Sequence, residues 1–99
     1  MTNVEAADKL KVVAERYFIR EVNLLKKERT GMTSNKECMA MLKKDKKDLI
    51  KLSSLVRKRA YEEAYEHLSD LDTVVREEVP KAVYNFIMKE SGNAHQMVK

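Results

Sequence analysis

Residues that interrupt helices are scarce in this sequence of 99 residues, which contains two Gly and one Pro. Folds made of many short strands need such residues at their turns, so the scarcity excludes a turn-rich all-β fold and a Gly-rich linker. Trp is missing, and aromatic residues make up 6% of the chain. The residues that dominate instead are Ala, Leu, Lys, Glu, Arg and Met, which lose little entropy on entering a helix. The composition predicts an all-α protein.

Cysteine and long apolar segments are also scarce. The single cysteine, Cys38, cannot form an intramolecular disulfide, which excludes a secreted scaffold held together by such bonds. No apolar run approaches the roughly 20 residues that a membrane-spanning helix needs. The N-terminal segment also lacks the apolar stretch of a signal peptide. We therefore expect an intracellular, cytoplasmic protein that does not contact a membrane.

Two long helices are predicted in the first two thirds of the chain. The first covers residues 4–29, with Gly31 placed to end it, and its apolar face is formed by Leu10, Val13, Ala14, Tyr17, Phe18, Leu24 and Leu25. The second begins at Ser34, where SNKE is a capping box that pairs Ser34 with Glu37. No Gly or Pro then intervenes before Pro80, so this helix is predicted to continue through Leu68, over about 50 Å.

The charged segment KKDKKD, residues 43–48, leaves an alternative for the second helix. Six charged residues in succession are typical of the exposed middle of a long helix or of a break. We favour continuity because apolar residues keep the helical phase on both sides; these are Leu42, Leu49, Leu52, Val56, Ala60 and Ala64.

A third helix is predicted from the SDLD segment to Gly92, with a kink or a new start at Pro80. The sequence therefore predicts one domain over residues 1–92, an antiparallel three-helix bundle, and a disordered tail over residues 93–99. A break near residues 43–48 would give four helices. The segment PKAVYNFI, residues 80–87, resembles the last helix of the Hha-type modulators of bacterial nucleoid proteins. This likeness covers eight residues, and we transfer no function from it.

Basic residues line one side of the second helix. The net charge is +4, and residues 20–60 are strongly basic whereas residues 61–99 are acidic. On a continuous helix, Lys44, Lys47, Lys51 and Lys58 form a ridge flanked by Arg57, which we call the lysine ridge. Such a ridge either contacts the phosphates of a nucleic acid or is a solvated helix face. The flanking residues do not fit a helix-turn-helix, and aromatic residues are not interleaved, so binding would be independent of base sequence.

Residues suited to catalysis are few. The two histidines are His67 and His95, and His95 lies in the predicted tail. Cys38 falls on the apolar side of the second helix, where a buried and inert thiol is expected. Glu63 and His67, four residues apart, are a weak metal site at most. The sequence predicts no catalytic residues, no metal, no cofactor and no small-molecule substrate.

Apolar residues remain outside the predicted core. The interface candidates are Val12, Ile19, Leu55, Tyr84 and Met88. Met32, Met39 and Met41 form a further cluster, and methionine suits adaptable binding surfaces. Glu21 falls within the apolar face of the first helix, so it is expected to be paired or to lie in an interface.

These features predict a small non-catalytic interaction protein, such as a regulator, an inhibitor or an accessory subunit. Its partner would be another protein or a second copy of the chain, in a dimer. The alternative function is that of a nucleic-acid accessory protein that binds phosphates through the lysine ridge.

Overall fold

The computed structural model describes residues 1–28 and 33–98, except for the side chains of residues 28 and 33–35. Five α-helices follow one another, and they are α1 (Asn3–Glu28), α2 (Thr33–Arg57), α3 (Tyr61–Asp70), α4 (Thr73–Arg76) and α5 (Lys81–Glu90). The described residues contain no strand, which confirms the all-α prediction. The predicted helix end at Gly31, the side chain of Ser34 in the capping box and Met32 lie outside the described residues.

The two long helices, α1 and α2, form an antiparallel hairpin. As the residue number rises along α1, the number of its partner falls along α2, from the Asn3–Arg57 hydrogen bond to that between Tyr17 and Asp45. Between these two bonds, the buried Ser53 hydroxyl donates a 2.7 Å hydrogen bond to the carbonyl of Ala7. A carbonyl already used within its own helix is reachable only where the backbones approach closely, and the small residues at this level permit that approach.

Helix α2 passes through the charged segment without interruption, as predicted, but it ends at Arg57 and not at Leu68. The prediction of a helix continuing to Leu68 was wrong. The Arg59 N–H donates to the Val56 carbonyl, and the Ala60 N–H donates to the Leu55 carbonyl, a pairing typical of a Schellman helix end. Arg59 occupies the position that favours glycine, with φ of 63°.

The same helix end recurs at the end of α5, where Gly92 has φ of 83° and was predicted as the stop. There the Gly92 and Asn93 N–H groups donate to the carbonyls of Lys89 and Met88. At the other end of α5, Pro80 is the residue before the first turn, which confirms a helix boundary at Pro80. The predicted third helix is therefore divided into α4 and α5.

Arg76 holds the junction between α3 and α4. Its guanidinium donates to the carbonyls of Leu68, Ser69 and Leu71 at 3.2, 2.8 and 2.7 Å. The last carbonyls of a helix lack intrahelical donors, so these bonds satisfy the end of α3 where the chain turns away.

The tail also has structure, in place of the disorder expected for residues 93–99. A 3-10 helix covers Ala94–Gln96. Beyond it, Asn85 exchanges two hydrogen bonds with the backbone of Val98, at 2.8 and 2.7 Å. Gln96 also donates to the Tyr65 hydroxyl at 3.0 Å. These contacts hold the described part of the tail against α3 and α5.

The hydrophobic core is confined to one half of the hairpin. It consists of Ala6, Leu10, Ala14, Tyr17, Leu49, Leu52, Val56, Ala64, Leu68, Leu71, Val75, Val79, Val83, Ile87 and Met88. The buried residues of α1 end at Tyr17, and those of α2 begin at Asp45. Residues 18–27 and 36–44, which we call the distal half of the hairpin, contain no fully buried side chain among those described. The shorter helices thus seal only part of the hairpin.

Replacing Arg59 by Gly is expected to raise the free energy of unfolding by about 1 kcal/mol, because glycine adopts the left-handed conformation without steric cost. Urea unfolding followed by circular dichroism measures the change.

The matched control is Lys51→Gly, in the exposed middle of α2, which is expected to lower the free energy of unfolding by about 1 kcal/mol. A loss of stability in both variants would contradict the assignment of a helix end at residues 58–60.

Candidate protein-binding groove

A concavity of about 510 Å³ opens between the distal half of the hairpin and α4. We call it the groove. Its walls are Tyr17, Glu21, Leu24 and Leu25 from α1, Cys38, Met41, Leu42 and Asp45 from α2, and Asp72, Thr73, Val74 and Val75 from the start of α4. Most of these side chains are apolar. The groove is therefore the continuation of the core beyond the level at which the shorter helices seal it.

Three large apolar side chains at the groove are exposed, one from each wall. Leu24 is 42% exposed, Met41 60% and Val74 64%. Leu24 was predicted to belong to the core face of the first helix, and the structure corrects this expectation. An isolated exposed hydrophobic residue is ordinary, but three around one concavity form an apolar patch of the kind found at binding sites.

The buried end of the groove contains a hydrogen-bonded pair. The Tyr17 hydroxyl donates to Asp45 Oδ2 over 3.1 Å, and both residues are buried. Burial is the main cause that raises the pKa of the Tyr17 phenol to about 12, and the Asp45 charge adds to it. Burial also raises the pKa of the Asp45 carboxyl, although the Tyr17 hydrogen bond acts in the opposite direction and nearby Asp72 adds repulsion. Loss of water from the carboxylate thus outweighs the bond that compensates it.

Two further carboxylates lie along the groove. Glu21 accepts a hydrogen bond from Arg20 at 3.2 Å, and the same guanidinium also pairs with Glu78. The expectation that Glu21 would be paired is met by its neighbour in sequence. Asp72 precedes α4, but its side chain makes no capping hydrogen bond. Within the described part of the chain, Asp72 has no hydrogen-bond or ion-pair partner, so its charge faces solvent at the mouth of the groove.

The interface candidates from the sequence fall into two groups. Val12 and Ile19 are 46% and 58% exposed on the outer side of α1, away from the groove. Leu55 and Tyr84 are half-buried against the core, and Met88 is fully buried within it. The surface position expected for Met88 is therefore wrong, because α3 and α1 both pack against α5 and cover more of it than one apolar face.

The lysine ridge is only partly continuous. Lys44, Lys47 and Lys51 are exposed on α2, but Lys58 lies in the turn beyond its end. Lys44 pairs with Asp48 at 3.2 Å, as its four-residue spacing suggests, and Arg57 pairs with Asp8 of α1. Two lysines, Lys47 and Lys51, are thus left without a carboxylate partner among the described residues.

The residues considered for chemistry are not brought together. The His67 ring lies 2.8 Å from the Asp48 carbonyl, a contact that joins α3 to α2. Cys38, expected to be buried, is exposed at the groove. No group of three or more metal-ligating side chains occurs in the ranges the structure describes. None of the described helices combines the length and apolar character needed to span a bilayer.

Two residues of the groove were missed at the level of sequence. Asp45 was read as part of an exposed charged segment, yet it is buried opposite Tyr17. A signal was available, since Asp45 lies four residues before Leu49 and three after Leu42, on the apolar side of α2. Asp72 was read as a helix cap, and no pattern in the sequence indicates that its side chain remains unused.

Comparison of the chain with protein-family models, with curated proteins and with solved structures finds no match.

Replacing Asp45 by Asn is expected to stabilise the protein more at pH 7 than at pH 3. The raised pKa means that folding favours the protonated carboxyl, so this contribution is present at low pH and is lost as the pH rises through the folded-state pKa. Asparagine keeps an acceptor for the Tyr17 hydroxyl but has no charge. Urea unfolding of both proteins at the two pH values measures the difference.

The companion variant is Tyr17→Phe, which leaves the buried carboxylate without its donor. It is expected to lower the free energy of unfolding at pH 7 by about 1–3 kcal/mol. An Asp45→Asn effect that is the same at both pH values would show that burial does not raise the pKa of Asp45.

Proposed function

We propose that this chain is a small non-catalytic interaction protein that acts by docking on a macromolecular partner through exposed helix faces. It would serve as a regulator, an inhibitor or an accessory subunit. The observation that carries the proposal is the groove, where Leu24, Met41 and Val74 are exposed together. A two-helix hairpin cannot bury both of its apolar faces by itself, so a further element is needed to cover the distal half.

The outer side of α1 offers a second surface for binding. Val12 and Ile19 are two turns apart, and Lys11, Glu15 and Arg16 lie with them around a shallow depression. In an antiparallel pair of α1 helices, Val12 of one copy would meet Ile19 of the other, and Glu15 would face Arg16. Such a contact is the same on both copies, so it closes into a dimer. We therefore propose self-association through this surface.

Replacing both Val12 and Ile19 by Ala is expected to shift the wild-type dimer to monomer, because truncation removes the apolar side chains at the centre of the contact. Sedimentation equilibrium over a range of protein concentrations measures the dissociation constant, which is expected to rise at least about tenfold.

The matched control is Val4→Ala, which truncates another exposed valine of α1 and is expected to leave the dimer intact. Circular dichroism confirms that each variant remains helical. A wild-type protein that stays monomeric at every concentration would overturn self-association through this surface.

A nucleic-acid accessory function is the second candidate. The observation that favours it is that α2 is continuous through residues 43–48, which places the unpaired Lys47 and Lys51 about one turn apart on an exposed face. A protein that binds through so few phosphate contacts would do so weakly and without base specificity.

Fluorescence titration of a labelled DNA duplex at two salt concentrations tests this second candidate. If the lysine ridge binds phosphates, affinity falls steeply with salt, and the Lys47→Gln/Lys51→Gln variant weakens binding and lowers the salt dependence by roughly two contacts. The control variant is Lys9→Gln/Lys11→Gln on α1. An equal effect of both double variants would show non-specific attraction to the net positive charge.

A further inference from the structure

We infer that the groove binds an amphipathic helix of a partner protein, one that presents an apolar stripe with a single Lys or Arg beside it. This inference rests on the proposed function and names the chemistry of the partner at that site. It concerns a surface different from the outer side of α1, so each can fail without the other.

The apolar part of the inference follows from the incomplete core. The distal half of the hairpin contains no fully buried side chain among those described, although it carries Leu24, Leu25, Met41 and Leu42. An inserted apolar stripe would bury these side chains as α3 and α5 bury those of the proximal half. Each apolar side chain transferred from water contributes about 1.5–3 kcal/mol when fully buried. Met41 at the rim can adjust its shape to the stripe.

The shape of the groove favours a helix. A volume of about 510 Å³ accommodates a few side chains, and the walls are themselves helices. Side chains at positions i, i+3 or i+4, and i+7 of one helix project on one side and enter such a groove together. Helices pack against each other in this way throughout the rest of the fold.

The charge of the groove selects the partner. Its walls contain three carboxylates, those of Glu21, Asp45 and Asp72, and no Lys, Arg or His. Asp45 is satisfied in part by Tyr17, and Glu21 shares the Arg20 guanidinium with Glu78. Asp72 has no partner within the described residues. A cation on the inserted helix would therefore pair with Asp72 at the mouth, where a second acidic partner would be repelled.

The second copy of the chain is a weaker occupant. The exposed apolar residues of α1, Val12 and Ile19, lie with one acidic and two basic residues, so they do not form a uniformly basic stripe. A contact between this surface and the groove of another copy would be head-to-tail and would leave a free surface at each end of a growing chain. A partner helix of a different protein has neither difficulty.

Cys38 supplies the means of testing the inference in the intact protein. It is the single cysteine of the chain, and it is exposed at the groove. An environment-sensitive fluorophore attached to it reports entry of an apolar helix. The reference protein is Cys38→Ser/Ser54→Cys, which places the same label on an exposed residue of α2 away from the groove walls.

Two synthetic helical peptides serve as probes. Both carry the same stripe of Leu and Ala on a Gln-rich helix, and they differ only in having Arg or Gln beside the stripe. We expect the Arg peptide to bind about fivefold more tightly, which corresponds to one charge-assisted hydrogen bond at a partly exposed site. The label at Cys38 is expected to respond, and the label at residue 54 is not. Anisotropy of a dye-labelled Arg peptide with unlabelled protein measures the affinity without a group at Cys38.

Two variants separate the contributions. Asp72→Asn is expected to remove the difference between the peptides while leaving the binding of the Gln peptide within twofold. Met41→Gln/Val74→Gln is expected to weaken both peptides at least tenfold; both residues are exposed, so circular dichroism should show an unchanged fold. Equal binding of the two peptides by the wild-type protein, or no binding of either, would overturn the inference.

The oligomeric state distinguishes the remaining occupant. If Met41→Gln/Val74→Gln converts an associated wild-type protein to monomer, a second copy occupies the groove and the inference of a separate partner is wrong. If Val12→Ala/Ile19→Ala dissociates the dimer and neither peptide binds, the proposed function stands and the inference about the groove falls.

Discussion

The hydrogen bond between Tyr17 and Asp45 marks the level of the hairpin at which burial ends. On one side of it, α3, α4 and α5 cover the apolar faces of α1 and α2, and the core is continuous. On the other side, the same two helices continue for two to three turns without cover. A polar pair at this boundary is physically reasonable, because a carboxylate is costly in a closed core and is tolerated where solvent is near. The groove and its acidic character both follow from that position.

The shorter helices depend on polar contacts at their junctions. Arg76 takes up carbonyls at the end of α3, and His67 contacts the carbonyl of Asp48, so α3 is fixed at both its end and its side. Tyr61 of α3 packs edge-on against Phe86 of α5, with ring centroids 5.8 Å apart. Helices of ten residues are marginal in isolation. Their order comes from these contacts and from the apolar residues they bury against α1 and α2.

Part of this architecture could be predicted from the sequence because it depends on local rules. The composition indicates helices, and Pro80 and Gly92 mark boundaries that the structure confirms. The end of α2 could not be predicted in the same way. Arg59 adopts a backbone conformation that an arginine disfavours, and the residues around it are good helix formers. A tertiary requirement, the packing of α3 against the hairpin, overrides the local preference there.

The candidate site was predicted less well, because its residues become neighbours only through the fold. The exposure of Val12 and Ile19 follows from their place on the helix, opposite the apolar face, and the sequence shows it. Met88 depends instead on how many helices surround α5, and Asp72 depends on a capping bond that does not form. Asp45 is intermediate, since its phase on α2 is visible but its partner, 28 positions earlier, is not.

The close approach of the backbones at Ala7 and Ser53 has a mechanical consequence for the rest of the hairpin. Long helices behave as stiff rods, so a bulkier residue at either position would change the angle between them as well as their separation. The groove lies more than about 20 Å further along the axes of the rods, where a small change in angle becomes a large change in width. Side-chain size at two small residues within the core thus sets the distance between the walls of a remote surface cleft.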